Sequence, residues 1–137
     1  GEFDAVVGVL SGGAFIARCV AEHHKIARVH YVRSRIWSNL SLHRNLMTSL
    51  RYYLGHENRP SVYFLDDHIA LKNARVLVVD DSVCTGATLS AVEALCLERG
   101  AREVKTLALY AHPDHVPDYV SQVSMTPLIW PWGWEAD

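Results

Sequence analysis

Cysteine is scarce in this chain of 137 residues: there are three, an odd number, at Cys19, Cys84 and Cys96. That spacing supplies neither a disulfide framework nor a zinc pair, so the chain reads as a reduced, cytoplasmic domain. Long apolar runs are missing as well. The longest, such as Ala5 to Leu10 and Leu107 to Ala111, fall far short of the ~20 residues that cross a bilayer, and no membrane partner is expected. No signal peptide is expected either, because Ser11, Gly12 and Gly13 interrupt the first apolar run and no basic region precedes it. Nor does one charge dominate: 13 Lys and Arg stand against 15 Asp and Glu, a net charge of -2. A dedicated nucleic-acid binder needs a basic surplus to neutralise phosphates, which argues against that class. There is no internal repeat and no low-complexity stretch.

What remains is an ordinary globular composition, 50% hydrophobic and 20% charged, of a length that predicts one domain over residues 1–137. Gly1-Glu2-Phe3 reads as an appended scar, and residues 119–137 as a hood-like tail. Ala5 to Leu10 is a short continuous apolar run, as a strand buried on both faces would be. Phe15, Ile16, Cys19 and Val20 then follow helical spacing. Val29 to Val32 and Ser61 to Leu65 read as strands. Between them Ile36, Leu40, Leu46, Met47, Leu50, Tyr53 and Leu54 suggest a helix beginning near Ser38 or Ser41. Arg75 to Val79 is a buried strand, Thr85 to Arg99 a helix closed by Gly100, Val104 to Tyr110 a strand, and Tyr119 to Val123 an edge strand. The alternation predicts an α/β domain: a mainly parallel twisted sheet flanked by helices. Ligands of such sheets sit at the carboxyl ends of the strands, which singles out Ser11-Gly12-Gly13 and Asp80 to Thr88.

The second segment carries the stronger chemistry. A buried strand runs into Asp80 and Asp81, then Ser82-Val83-Cys84-Thr85-Gly86-Ala87-Thr88 leads into a helix. Consecutive small residues let several backbone N–H groups converge on one point, and the helix N-terminus adds partial positive charge. Thr85 and Thr88 add hydroxyls. This suits a monophosphate, while the two carboxylates suit a polyhydroxyl group or a hydrated magnesium ion. The plainer reading is that the acids end a strand and Thr85 caps a helix.

Four apolar residues, two acids, a short spacer and Thr-Gly-Ala-Thr resemble the phosphoribosyl-pyrophosphate (PRPP) signature of the type I phosphoribosyltransferases. Val6 to Gly13 is similar to that family's first strand and pyrophosphate loop. Val29 to Arg33 resembles the next strand of its 6-oxopurine (hypoxanthine and xanthine-guanine) members. Tyr110-Ala111-His112-Pro113, Asp118-Tyr119-Val120 and a Trp-Pro-Trp tail are similar to the base-binding end of the bacterial xanthine-guanine enzymes. The resemblance covers the chain except for roughly residues 36–60.

It implies a type I phosphoribosyltransferase fold with a small C-terminal aromatic hood, and a Mg²⁺-dependent transfer of the 5-phosphoribosyl group from PRPP to a purine-like nucleobase, releasing pyrophosphate. The oxocarbenium-like transition state leaves the protein to position reactants and neutralise the leaving group. Asp80, Asp81 and Cys84 would stand at the reacting centre, with Asp80 and Asp81 facing the ribose hydroxyls directly or through Mg²⁺. Cys84, Thr85, Gly86, Ala87 and Thr88 would hold the 5-phosphate, and Ser11, Gly12, Gly13 and Arg33 the pyrophosphate. His112, Ile129, Trp130 and Trp132 would bind the base. Four Trp are present, three of them in the last eight residues, which favours stacking of a flat purine over simple closure of a core; a dimer contact or lid is the competing use.

Three positions depart from the family pattern. Cys84 stands where an acid usually precedes the Thr-Gly, Ser11 where a loop Lys or Arg is common, and His112 where a lysine typically meets the purine 6-oxygen. These departures motivate a rival reading, a non-catalytic PRPP- or nucleotide-binding regulatory module on the same fold. Arg44 and Arg51, with Arg33 and Arg35 upstream, read either as replacements for the loop cation or as ordinary surface arginines. A phosphorylated-sugar hydrolase is disfavoured, since no Asp-x-Asp follows the first strand. His23-His24 and the pair His112 and His115 lack recognised zinc spacing. Tyr52 and Tyr53 on a small domain predict a homodimer or larger homo-oligomer.

Overall fold

The computed structural model describes residues 2–10, 12–34, 61–66, 68–83 and 85–125. Among the described residues are six strands, β1 (Ala5–Val9), β2 (Arg28–Ser34), β3 (Val62–Phe64), β4 (Arg75–Val83), β5 (Glu103–Ala111) and β6 (Tyr119–Val123), and two helices, α1 (Gly12–His23) between β1 and β2 and α2 (Ala87–Glu98) between β4 and β5. The strands form one sheet in the order β3-β2-β1-β4-β5-β6. Every neighbouring pair is parallel except β2 with β3. The helix expected over residues 38–54 lies outside the described residues.

The continuous apolar runs are explained by burial on both faces. β1 is buried at all five positions, with successive residues facing opposite sides as the pleat requires. Val7, Val76 and Val78 pack with Leu89, Val92 and Cys96, so α2 covers that face. Val6, Leu77 and Val79 pack with Ile16, Ala17 and Ala21, so α1 covers the other. Each fully buried valine contributes about 1.5–3 kcal/mol of transfer free energy.

This arrangement sets the place of the site. The chain leaves β1 for α1 on one face and leaves β4 for α2 on the other, although the two strands are neighbours. That is a topological switch point, where a crevice opens beyond the carboxyl ends of the strands.

Several boundaries shift from the sequence reading, most of all the end of β4 and the starts of the two helices. β4 does not stop at Val79; it continues through Asp80, Asp81 and Ser82 to Val83, because Ala108, Tyr110 and Ala111 of β5 remain available as partners. α1 begins at Gly12, ahead of the apolar positions from Phe15 that mark it in the sequence, and α2 begins at Ala87 rather than Thr85.

Candidate active site

Asp80 and Asp81 project from the last turn of the pleat of β4. Each carboxylate accepts the next backbone N–H: Asp81 N–H donates to Asp80 Oδ1 at 2.8 Å, and Ser82 N–H to Asp81 Oδ1 at 2.8 Å. Part of Asp80 reaches the surface, yet its carboxyl is pushed well above the usual range, first by burial and then by hydrogen bonding and repulsion from Asp81. The Asp81 backbone N–H pulls the other way. A charged acid is held here at a cost that a cation would offset.

Gly13, at the start of α1, lies directly against this strand end. A Cβ built on Gly13 would sit 2.5 Å from the Val79 carbonyl oxygen and 3.1 Å from Asp80 Cα. Only glycine allows so close a backbone approach. The N-terminus of α1 and the acid pair, far apart in sequence, are thus adjoining walls of one crevice.

The third wall is the loop into α2. Gly86 is the N-cap, in the left-handed region at φ 77°. Thr85 Oγ1 accepts the Ala87 N–H at 3.2 Å, and the first helical bond runs from Ser90 N–H to the Gly86 carbonyl at 2.9 Å. The Ala87 N–H is thereby taken, and the N–H groups after it in the first turn are without an intrahelical acceptor, as at any helix start. Thr88 is half-buried beside them.

His112 completes the arrangement from β5. Its N–H donates to the Val83 carbonyl at 2.9 Å, which ties the segment after β5 to the strand carrying the acids. Its ring Nδ1 accepts the Asp114 N–H at 3.2 Å, which places the ring proton on Nε2 in the neutral form and leaves a donor facing outward. Beyond this turn, Asp118 Oδ2 accepts both the Thr106 N–H at 2.9 Å and the Thr106 hydroxyl at 3.1 Å, while Thr106 Oγ1 accepts the Asp118 N–H. That latch pins the start of β6 beside β5.

Of the residues singled out from sequence, Gly12, Gly13, Asp80, Asp81, Thr85, Gly86, Ala87, Thr88 and His112 converge at this end of the sheet. Arg33 is exposed near the end of β2, following Val32, the partner of Val9. Ser11, Cys84, Ile129, Trp130 and Trp132 lie outside the described residues, as do Arg35, Arg44 and Arg51. The Thr106–Asp118 latch and the contact of His115 with Gly86 (a Cβ there would meet His115 Nδ1 at 3.4 Å) were not anticipated as site features. The one signal for the latter was His-Pro-Asp-His, a sequence suited to a β-turn.

Among the described residues no group of three or more His, Cys, Asp or Glu could hold a metal ion. Two adjacent carboxylates without a third protein ligand nevertheless fit Mg²⁺, which keeps several waters and is completed by substrate phosphates.

A parallel sheet with its acid pair at the switch point and a small-residue loop opening the following helix defines the type I phosphoribosyltransferase fold. The chain belongs to the phosphoribosyl transferase domain family, whose model matches residues 1–135. Among solved structures it is similar to a purine phosphoribosyltransferase from Pyrococcus horikoshii, at 24% identity and TM-score 0.74, covering 96% of this chain and 77% of that one. It is similar also to a hypoxanthine phosphoribosyltransferase from Staphylococcus aureus, at 18% identity and TM-score 0.65, covering 93% and 65%. A third is the hypoxanthine phosphoribosyltransferase of Trypanosoma cruzi complexed with its product IMP, at 20% identity and TM-score 0.59, covering 90% and 60%. The chain therefore spans less than two thirds of the last two. A search of the curated proteins returns no match.

Proposed function

We propose that this phosphoribosyltransferase moves the 5-phosphoribosyl group of PRPP to a purine-like nucleobase with release of pyrophosphate. The observation that carries this reading is the approach of Gly13 to Asp80. It sets the segment assigned to pyrophosphate against the acids assigned to the ribose, the order in which those groups are joined in PRPP.

In this reading the 5-phosphate is held by backbone N–H groups of residues 84–88 and by the hydroxyls of Thr85 and Thr88. Asp80 and Asp81 accept hydrogen bonds from the ribose hydroxyls and hold Mg²⁺. The ion supplies positive charge that neutralises the pyrophosphate, which could not otherwise lie beside two carboxylates. Ser11, Gly12 and Gly13 orient the pyrophosphate by backbone N–H groups, with Arg33 on the adjacent strand end. His112 Nε2–H donates to the acceptor base, which stacks on Trp130 or Trp132 beside Ile129. Cys84 is a poor substitute for an acid near the base, since an ordinary thiol is mostly protonated at neutral pH. That feature, with Ser11, favours the second reading, a regulatory module that binds PRPP without turnover.

A homodimer fits the exposed apolar side chains of Val116, Tyr119, Val123 and Met125 on and beside β6. A cytoplasmic setting fits the free thiols of Cys19 and Cys96. No described helix is long and apolar enough to cross a membrane.

The decisive experiment incubates PRPP and Mg²⁺ with a panel of free purines and pyrimidines and measures pyrophosphate release. Release with a purine is expected. PRPP binding without release on any base would select the regulatory reading, and absence of PRPP binding would sink both.

A further inference from the structure

His112 and His115 flank Pro113, and assigning His112 to the base leaves His115 without a role. We infer that His115 is a further residue of the 5-phosphate site, an imidazole donor set against Gly86 that adds a proton-linked cation to a cradle otherwise built of neutral groups. This rests on the phosphoribosyl reading above.

The geometry is specific. Gly86 sits at φ 77°, and His115 is the side chain that faces its Cβ side: a Cβ there would lie 3.4 Å from Nδ1, 3.5 Å from Cβ and 3.6 Å from Cγ of that histidine. The ring therefore stands about one methyl group away from the middle of the loop, on a residue that is exposed. Its position is fixed by the turn that carries it. His115 N–H donates to the His112 carbonyl at 3.0 Å, closing a four-residue turn with Pro113 at the position that proline favours. His112 N–H in turn holds the Val83 carbonyl, so the turn is bonded to the strand that leads into the loop.

The chemistry follows from what the loop lacks. From Thr85 to Ser90 no side chain carries a positive charge, and a phosphate monoester is close to a dianion at neutral pH. An imidazole beside a bound dianion keeps its proton to higher pH than a free one, so binding draws a proton from solution. The titratable groups on its own turn are His112 and Asp114, and the strand to which that turn is bonded carries Asp80 and Asp81. Asp114 Oδ2 lies 3.6 Å from His112 Nδ1, Asp118 is held by Thr106, and the first turn of α2 carries no acid.

Calorimetric titration of the full chain with ribose 5-phosphate tests this, in buffers of different ionisation enthalpy at about pH 7.5, so that proton uptake is read with affinity. The wild type is expected to take up a fraction of a proton on binding. His115→Ala and His115→Gln should each bind roughly 3–10-fold more weakly and lose that uptake, with unchanged melting temperature in the absence of ligand. If uptake persists in both variants, His115 merely packs on Gly86 and the inference is overturned, whatever the affinity. If the wild type does not bind ribose 5-phosphate, the phosphoribosyl reading falls and takes this one with it; if it binds and neither variant differs, only this inference fails.

Discussion

Two glycines border the acid pair, and the structure needs them for different reasons. Gly13 is required for distance: its backbone lies so close to β4 that a methyl group would press on the Val79 carbonyl. Gly86 is required for direction: its φ of 77° is one that other residues adopt only with strain, while the space around it is adequate. One glycine joins two strands' worth of chemistry into a single crevice; the other aims the loop opposite it. Two kinds of local constraint thus produce one site, and each can be broken separately.

The largest effect is expected where both walls meet. Asp80→Asn combined with Asp81→Asn should abolish the rise in melting temperature caused by PRPP and Mg²⁺, a rise produced by mass action on the native state. A preserved thermal shift in a folded double variant would remove the acids from the site and leave the comparison of the two glycines without a functional centre.

Next come the glycines themselves. Gly13→Ala should destabilise the protein by about 1–3 kcal/mol, since backbone atoms on both sides must move. Gly86→Ala should cost roughly 1–2 kcal/mol of left-handed strain and no steric penalty beyond it. Denaturant unfolding of both variants separates them. A loss at Gly86 larger than that at Gly13 would contradict the distinction between distance and direction.

The smallest effect concerns Asp80 without ligand. Its carboxyl takes a proton more readily in the folded chain than in the unfolded one. Its contribution to stability is therefore fully present below the unfolded value, near ~3.9, and is lost as pH rises through the elevated folded value. Asp80→Asn should accordingly raise the melting temperature of the ligand-free protein at neutral pH, with little change in acid. A lower melting temperature at neutral pH would show that the ionised carboxylate is favourable where it stands.

Much of this architecture was legible beforehand, for a physical reason. Strands buried on both faces must be apolar throughout, so β1 and the first half of β4 stood out from their surroundings. The same rule placed the end of β4 too early: its apolar run stops at Val79 and the acids read as the close of the strand, whereas the pairing that keeps it extended to Val83 is supplied by β5, some thirty residues later. Local pattern carries no record of such a partner. The acid pair and Thr-Gly-Ala-Thr were visible because their chemistry is contiguous in sequence. His115 was not, because its contact with Gly86 exists only after the turn at Pro113 and the parallel pairing of β4 with β5 have formed. The sheet order, likewise, is a property of the assembled chain, and the antiparallel β3 at its edge was not distinguishable from a parallel strand.

β5 and β6 are parallel neighbours, yet only residues 112–118 join them, without a helix. Such connections ordinarily take a dozen residues or more. The register makes the short route possible: Tyr119 lies beside Leu107, so the chain retreats four positions from Ala111, about 13 Å of strand. The turn from His112 to His115 takes up most of the link, and residues 116–118 make the return before Asp118 is pinned by Thr106. The connection is a short strap with a histidine turn at one end and the edge strand at the other, so a displacement of β6 is delivered through few residues to the turn that faces the loop into α2.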